Sequence, residues 1–255
     1  KRILDSKAHY PKEYMKKASH VCWSEKIKQD MIAEGIDEKN LPVTGDIKTD
    51  FSNHRFDSFF KTKDQLASEF NLDSSKEWIL FISSFTFNEK DSKRLMSMNH
   101  NLDDGKYMQK WNVESKAIVM EWFEKFLKAH PEKEFISRPH PVEFNVLDED
   151  STISILDEKY LNFHYINKYA IQEWIRPCDY LNTVISTSII DVYLLEKQCN
   201  ILRPVELNPD FDNPLLVGAK TICTYDEFEK LNTDKNTDEF PVSREMIGQY
   251  YDFGD

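Results

Sequence analysis

Two kinds of hydrophobic pattern alternate along the chain. Continuous apolar runs are typical of strands covered on both faces, and apolar residues recurring every three to four positions are typical of helices packed on a sheet. Strands are predicted at 18–24, 41–45, 77–83, 135–137, 178–186 and 200–207, with one or two more within 153–166 and another near 221–224. Helices are predicted at 25–34, 52–76, 114–130, 167–175, 186–198 and 224–231. This alternation predicts an α/β fold with a parallel sheet.

Two stretches do not follow either pattern. Residues 88–112 are charged and irregular, and we interpret them as a loop-rich insertion. Residues 144–162 are acidic and weakly patterned, and we expect strand only within their second half. The first stretch, 88–112, is not expected to contribute to the core.

Composition limits the possible partners. The chain has 255 residues, 40% of them hydrophobic, and a net charge of −12, which argues against general affinity for nucleic acid. A small phosphorylated ligand remains compatible with this charge, because a pocket is electrostatically local. No apolar run approaches the roughly 18–20 residues of a membrane span. The first residues contain neither an initiator Met nor a signal-peptide core, so we expect a fragment boundary there.

The sequence lacks the motifs of several common kinds of site. Cys22, Cys178, Cys199 and Cys223 lack zinc-type spacing, and His100 with the following acids fits no ligand template. The sequence has no GxGxxG dinucleotide motif and no GxSxG nucleophile elbow. We therefore predict no metal and no cofactor, and we disfavour a dehydrogenase or a serine hydrolase.

The candidate chemistry lies just beyond the predicted strands. The sequence FISRPHPVE, residues 135–143, ends a strand in Arg138, His140 and Glu143, with Pro139 and Pro141 stiffening the loop. Arg offers a planar fork of donors and His offers an N–H, so the pair suits a phosphate. Glu143 could accept a hydrogen bond from a ribose hydroxyl or a base amino group, or it could be a surface residue.

Hydroxyl side chains follow two other predicted strands. Ser186, Thr187 and Ser188 lie between a strand and a helix, where backbone N–H groups bind anions. Asp191 follows one turn later, and Ser83 and Ser84 follow the strand at 77–83. Ligands of open α/β sheets bind at such strand ends. The hydroxyls could also merely cap a helix or form a loop.

Three passages resemble GT-B glycosyltransferases that build bacterial surface polysaccharides. WSEKIKQDMIAEGIDEKNLPVTGDIKTDF is similar to the passage that ends their N-terminal domain. RPHP with a following acid resembles the donor motif of enzymes using CMP- or CDP-linked donors. DYLNTVISTSIIDVYLLEKQCNILRP resembles the phosphate-binding segment of CDP-glycerol glycerophosphotransferases and CMP-Kdo-type enzymes.

The resemblance implies a Rossmann-like C-terminal GT-B lobe at 51–255, preceded at 1–50 by the end of an N-terminal lobe. An ordinary strand–helix–strand start of one complete domain is the alternative. The resemblance also implies a metal-independent transferase that moves a sugar or polyol phosphate from a cytidine nucleotide to a glycan or lipid-linked acceptor. Its donor site would comprise Arg138, His140, Glu143, Ser186, Thr187, Ser188, Asp191, Ser83 and Ser84, with the catalytic base on the missing lobe. The expected location is the cytoplasm, including the cytoplasmic face of the inner membrane.

Two other functions remain open. A UDP-sugar-dependent transferase, or an enzyme related to UDP-GlcNAc 2-epimerase, would share this fold. A non-catalytic module that binds nucleotide sugars within a larger synthase is the third possibility.

Overall fold

The computed structural model describes residues 12–86, 102–144, 152–216, 218–234, 247, 248 and 251. Contacts divide the chain into two compact units, one drawn from Lys1–Asp57 with Val242–Asp255 and the other from Ser58–Pro241. The predicted division at residues 50 and 51, with its assignment to two lobes, stays a prediction.

Within residues 12–57, the first unit contains three α-helices, α1 (Lys12–Met15), α2 (Glu25–Ala33) and α3 (Ile47–Asp50), and a 3₁₀ helix at Glu38–Asn40. Ser24 caps α2, as predicted, by accepting a hydrogen bond from Ile27 N at 3.3 Å. Gly35 follows this helix with a φ of +90°, a backbone conformation that favours glycine. The strands expected at 18–24 and 41–45 are reduced to one parallel bridge between Cys22 and Val43.

The described part of the second unit is built on a five-stranded parallel sheet in the order β3–β2–β1–β4–β5. The α/β fold with a parallel sheet is thereby confirmed. β1 is central, and Leu80 lies between Ile136 of β2 and Leu181 of β4. The strands are β1 (Trp78–Ile82), β2 (Glu134–Arg138), β3 (Phe163–Tyr165), β4 (Tyr180–Thr183) and β5 (Asn200–Ile201).

Helices connect these strands. A 3₁₀ turn at His54–Phe59 and helix α4 (Lys63–Phe70) replace the single helix expected over 52–76. The remaining α-helices described in this unit are α5 (Leu102–Ala129), α6 (Pro141–Phe144), α7 (Thr152–Lys159), α8 (Ile171–Ile175), α9 (Ile189–Leu194) and α10 (Tyr225–Leu231).

The prediction of a loop for the first irregular stretch, 88–112, was wrong where helix α5 begins. Residues 102–112, expected in a loop, form its first turns, whereas 87–101 lie outside the described residues. Trp111 is 2% exposed, and its indole N–H donates to Val205 O at 3.1 Å. The Tyr107 hydroxyl accepts a hydrogen bond from Asn208 N at 2.9 Å. These contacts with the chain after β5 stabilise turns whose own sequence is mostly polar.

The prediction for the second irregular stretch was wrong where helix α7 replaces the expected strand. Ile153 and Leu156, expected in a strand, are buried three residues apart, which is the spacing of one helix face. Strand β3 follows at Phe163–Tyr165. Residues 145–151 lie outside the described part of the chain.

The core lies between the sheet and α5. Phe123 of this helix packs on Phe81 and Phe135, with ring centroids 4.8 and 4.5 Å apart. Phe126 and Phe228 of α10 extend the cluster. This packing fixes α5 against one face of β1 and β2, so its first half extends beyond their carboxyl ends.

Candidate functional site

The order of the strands places a topological switch point between the carboxyl ends of β1 and β4. The chain passes from β1 to β2 and β3 on one side, and then returns to β4 on the other side of β1. Open α/β sheets bind ligands at such a switch point. Two hydrogen bonds join the strand ends, from Ile185 N to Ser84 Oγ (3.1 Å) and from Thr183 Oγ1 to Ile82 O (3.0 Å). The two loops are therefore held side by side.

A buried carboxylate links the loop after β1 to the loop after β2. Glu143 is 8% exposed and accepts hydrogen bonds from Ser83 Oγ at 2.8 Å and from His140 N at 3.2 Å. The backbone N–H of Phe85 is a further donor. Sequence reasoning considered Glu143 only as a ligand for the donor or as a surface residue. The sequence did contain a signal for this third role. Pro141 favours the first position of a helix, and an acid at the third position, here Glu143, can accept a hydrogen bond from the backbone N–H of the residue before the helix.

The charge of this carboxylate is affected by its surroundings. Burial raises the pKa of Glu143, although its donors and the Lys116 ammonium act in the opposite direction. Lys116 is half-buried on α5, and burial lowers its pKa while Glu143 acts to raise it. The two side chains thus form an electrostatic pair over the ends of β1 and β2.

The Arg138 side chain donates hydrogen bonds to backbone carbonyls. Its guanidinium donates to Ile166 O at 3.3 Å and to Tyr169 O, both in the loop that follows β3. Tyr169 has a φ of +69°, a strained conformation for a residue other than glycine. Burial lowers the pKa of Arg138. In this structure, Arg138 holds the loop after β3, and its binding to a phosphate stays a prediction.

His140 lies between the two prolines that stiffen its loop. The residue is half-buried, and its backbone N–H is held by Glu143. Pro141 is the first residue of α6. His140 is thereby positioned at the carboxyl end of β2 by its own backbone and by Glu143, as the rigid loop predicted.

The hydroxyl residues after β4 precede a short helix. Ser186 is buried, and its Oγ accepts a hydrogen bond from Ser188 N at 3.1 Å. Thr187 is exposed, and Ser188 is the N-cap of α9 without a side-chain capping bond. Asp191 accepts a hydrogen bond from Gln172 Nε2 at 2.6 Å, which joins α9 to α8. Thr187 and Ser188 are therefore the more available hydroxyls of the three.

Sequence reasoning did not assign a site role to Arg203, which follows β5. Its side chain is 5% exposed, donates to Asp212 Oδ1 at 2.7 Å and also donates to Val184 O. Arg203 and Asp212 line a cavity of about 470 Å³ at this end of the sheet. A buried Arg requires a paired acid, so Arg203 and Asp212 hold the loop after β4 beside the chain after β5.

The residues that the structure describes show neither a metal-binding cluster nor a membrane-spanning helix. They contain no group of three or more His, Cys, Asp or Glu side chains placed to hold a metal ion. Within the described ranges, no helix is both long enough and apolar enough to cross a bilayer.

Comparisons with known proteins show what this architecture resembles. No protein-family model and no curated protein sequence matches the chain. Among solved structures, UDP-GlcNAc 2-epimerase from Methanocaldococcus jannaschii is 15% identical with a TM-score of 0.50, over 91% of this chain and 60% of that one. The wall teichoic acid polymerase TagF is 16% identical with a TM-score of 0.51, over 90% of this chain and 51% of that one.

The chain has a Rossmann-like fold of the GT-B type. A second TagF structure, of a variant soaked with CDPG, is 14% identical with a TM-score of 0.51 and is covered over 50% of its length. The chain thus spans between half and three-fifths of these proteins. At such identities the likeness establishes the fold alone, and that fold is shared by a wall teichoic acid polymerase and a UDP-GlcNAc 2-epimerase.

Proposed function

We propose that this chain forms the donor-binding part of a GT-B glycosyltransferase. The proposed reaction transfers a sugar or polyol phosphate from a cytidine nucleotide to a bacterial surface polysaccharide, at the cytoplasmic face of the membrane. The observation that carries the proposal is the switch point between β1 and β4, where Ser84 Oγ in the loop after β1 accepts a hydrogen bond from Ile185 N after β4 at 3.1 Å. There the hydroxyl residues after two strands converge at the switch point of a GT-B fold.

Each residue has a proposed role in binding the donor. Thr187, Ser188 and the first amides of α9 bind phosphate, assisted by His140 from the opposite loop. Ser83, Ser84, Ser186 and Glu143 keep the loops in register through the hydrogen bonds described above. Arg138 positions the loop after β3, and Asp191 can exchange Gln172 for a ribose hydroxyl.

Catalysis in this proposal depends on the leaving nucleotide. Its phosphate gains negative charge as the bond to the transferred group breaks, and prearranged donors stabilise that charge. The acceptor and the base that deprotonates it are assigned to a second lobe. No metal is required by this arrangement.

Isothermal titration with CMP, CDP, UMP and UDP tests the proposal on the wild type and on His140→Ala. We expect cytidine nucleotides to bind more tightly than uridine nucleotides, and we expect the variant to lose about tenfold in affinity, as for one charge-assisted hydrogen bond. Absence of binding to all four nucleotides would contradict the proposal. Equal affinity of the variant would remove His140 from the site.

A UDP-sugar enzyme is the second candidate. It is favoured by the similarity to UDP-GlcNAc 2-epimerase, whose TM-score of 0.50 differs little from that of TagF. The same titration separates the two, because a preference for UDP over CDP would support the second candidate.

A further inference from the structure

Two buried polar side chains of α5 lack partners. Asn112 and Ser115 are both 0% exposed. Neither the amide atoms of Asn112 nor Ser115 Oγ makes a hydrogen bond in the described structure. Folded proteins rarely leave such groups unsatisfied, and each one found calls for an explanation such as an absent water or ligand.

These two side chains lie on the face of α5 that points to the sheet. Asn112 is seven residues and Ser115 four residues before Val119, which is 0% exposed and belongs to the core. Residues four and seven apart share one side of a helix. Lys116, seven residues before Phe123, shares this side as well. We call Asn112, Ser115 and Lys116 the inward polar stripe.

The stripe lies at the carboxyl end of the sheet. Phe123 packs against Phe81 and Phe135 at the level of the strands, and Lys116 precedes it by about two turns. Because α5 runs antiparallel to β2, which follows it directly, those turns lead past the strand ends. The electrostatic pairing of Lys116 with Glu143 agrees with this placement. The stripe therefore faces the same end of the sheet as Ser83 and the loop of His140.

The chemistry of the stripe suits a neutral ligand rich in hydroxyls. Asn112 offers both a donor and an acceptor, and Ser115 can act as either. The opposite charge of Glu143 reduces the attraction of the Lys116 ammonium for a phosphate. Sugars and polyols carry hydroxyls that both donate and accept. Phosphate binding is better served by the loops after β2 and β4.

We propose that the inward polar stripe binds the hydroxyls of the sugar or polyol part of the donor. The inference rests on the proposed function and deepens it. The nucleotide would be held by the loops at the strand ends, and the group to be transferred would be held by α5. Asn112 and Ser115 would then acquire in the complex the hydrogen bonds that they lack without ligand.

Titration calorimetry tests the inference with the 255-residue chain. CDP is compared with CDP-glycerol, and UDP with UDP-GlcNAc, on the wild type, Asn112→Ala and Ser115→Ala. Ser52→Ala is the matched control, because Ser52 is 6% exposed, lies in the other compact unit and also has an Oγ without a partner in the described structure. Free glycerol and free N-acetylglucosamine are titrated in parallel.

We expect the two α5 variants to bind CDP or UDP as the wild type does and to bind the complete donor roughly threefold to tenfold more weakly. Ser52→Ala should bind both as the wild type does. Unchanged donor affinity in both α5 variants, with nucleotide binding intact, would overturn the inference and leave the proposed function standing. Binding of the free sugar or glycerol that depends on Ser115, without nucleotide binding, would support the stripe and contradict the proposed function. No binding of any probe would contradict both.

Thermal unfolding distinguishes two interpretations of the inward polar stripe, a ligand site and a site for a buried structural water. If Asn112 and Ser115 await a ligand, Ser115→Ala should unfold at the same temperature as the wild type or at a higher one, since it removes an unsatisfied buried group. A lower unfolding temperature together with unchanged donor affinity would mean that Ser115 binds a buried water, which overturns the inference.

Discussion

The two ends of the sheet use polar side chains in opposite ways. At the amino end, Glu134 is 4% exposed and accepts from His164 Nε2 at 2.7 Å, Lys76 Nζ at 3.2 Å and Asp73 N at 3.3 Å. At the carboxyl end, hydroxyls predominate, and Asn112 and Ser115 have no partner in the structure as described. The buried carboxylate at the amino end is satisfied by the protein itself, whereas the two side chains at the carboxyl end keep hydrogen-bonding capacity for a ligand.

Charge pairs and hydrogen bonds also join the starts of the strands at the amino end. Asp179, just before β4, accepts from Trp78 N at 2.9 Å and from Lys63 Nζ at 3.4 Å. Glu77 and Lys133 pair just before β1 and β2. Such pairs tie the strand starts together. We therefore expect substitutions at the amino end to affect stability alone, whereas at the carboxyl end buried residues should affect stability and exposed hydroxyl residues should affect binding.

The largest expected effect is that of Glu134→Ala at the amino end. The substitution leaves the donors on His164, Lys76 and Asp73 without their acceptor, and removing one partner of a buried network costs about 3 kcal/mol. Urea denaturation at pH 7 measures this loss in the free energy of unfolding. Nucleotide affinity of the folded fraction should not change. Full stability of the variant would remove the contrast between the two ends.

Arg138→Ala should have the next largest effect, and it distinguishes two roles for that residue. Loss of the hydrogen bonds to Ile166 O and Tyr169 O should lower the free energy of unfolding by about 2 kcal/mol and should increase hydrogen exchange at 166–170. Arg138→Lys should recover part of this loss. If the variant keeps its stability but loses salt-dependent affinity for CDP, Arg138 binds phosphate directly.

Glu143→Gln should change how stability depends on pH. A raised carboxyl pKa means that the folded protein binds the proton more tightly than the unfolded chain. Stability from this group is complete below the ordinary pKa of 4.5 and is lost as the pH rises through the folded-state pKa. The wild type should therefore gain stability relative to the variant between pH 7 and about 4.5, as measured by urea denaturation across that range. A relative loss on acidification would mean a lowered pKa.

Thr187→Ala should have the smallest effect on stability. Thr187 is exposed, so the free energy of unfolding should change by less than about 0.5 kcal/mol. Affinity for CDP, measured by calorimetry, should fall roughly threefold to tenfold through loss of one hydroxyl donor. Unchanged affinity would place the phosphate elsewhere.

The apolar runs allowed much of the fold to be predicted. WILFI at 78–82 is buried at every position, and FIS at 135–137 occupies the middle of β2, so strands covered on both faces were recognisable. The strands in the first unit were predicted too long, because a short apolar run does not show how many residues will pair. In the structure, these two runs pair through the single parallel bridge between Cys22 and Val43.

The first half of α5 could not be predicted from periodicity, for a physical reason that concerns the site. Asn112 lies on the inward face of the turns that were not predicted, 102–113, at a position where a helix packed on a core would carry an apolar residue. Ser115 and Lys116 continue this face at the start of the helix predicted at 114–130. Places where a local pattern fails are often functional. The loops after β2 and β4 were identified from their residue types. The partners of Arg138, which are carbonyls 28 and 31 residues further along the chain, depend on the tertiary fold.

Hydrogen exchange with and without saturating CDP or UDP tests the contrast between the two ends most directly. We expect the nucleotide to slow exchange at 83–86, 138–143 and 184–190, and to leave 131–134 and 176–179 unchanged. The second pair of segments lies at the amino end, where Arg176 and Lys197 line a cavity of about 520 Å³. Protection confined to those amino-end segments, or protection nowhere, would contradict a nucleotide site at the carboxyl end of the sheet.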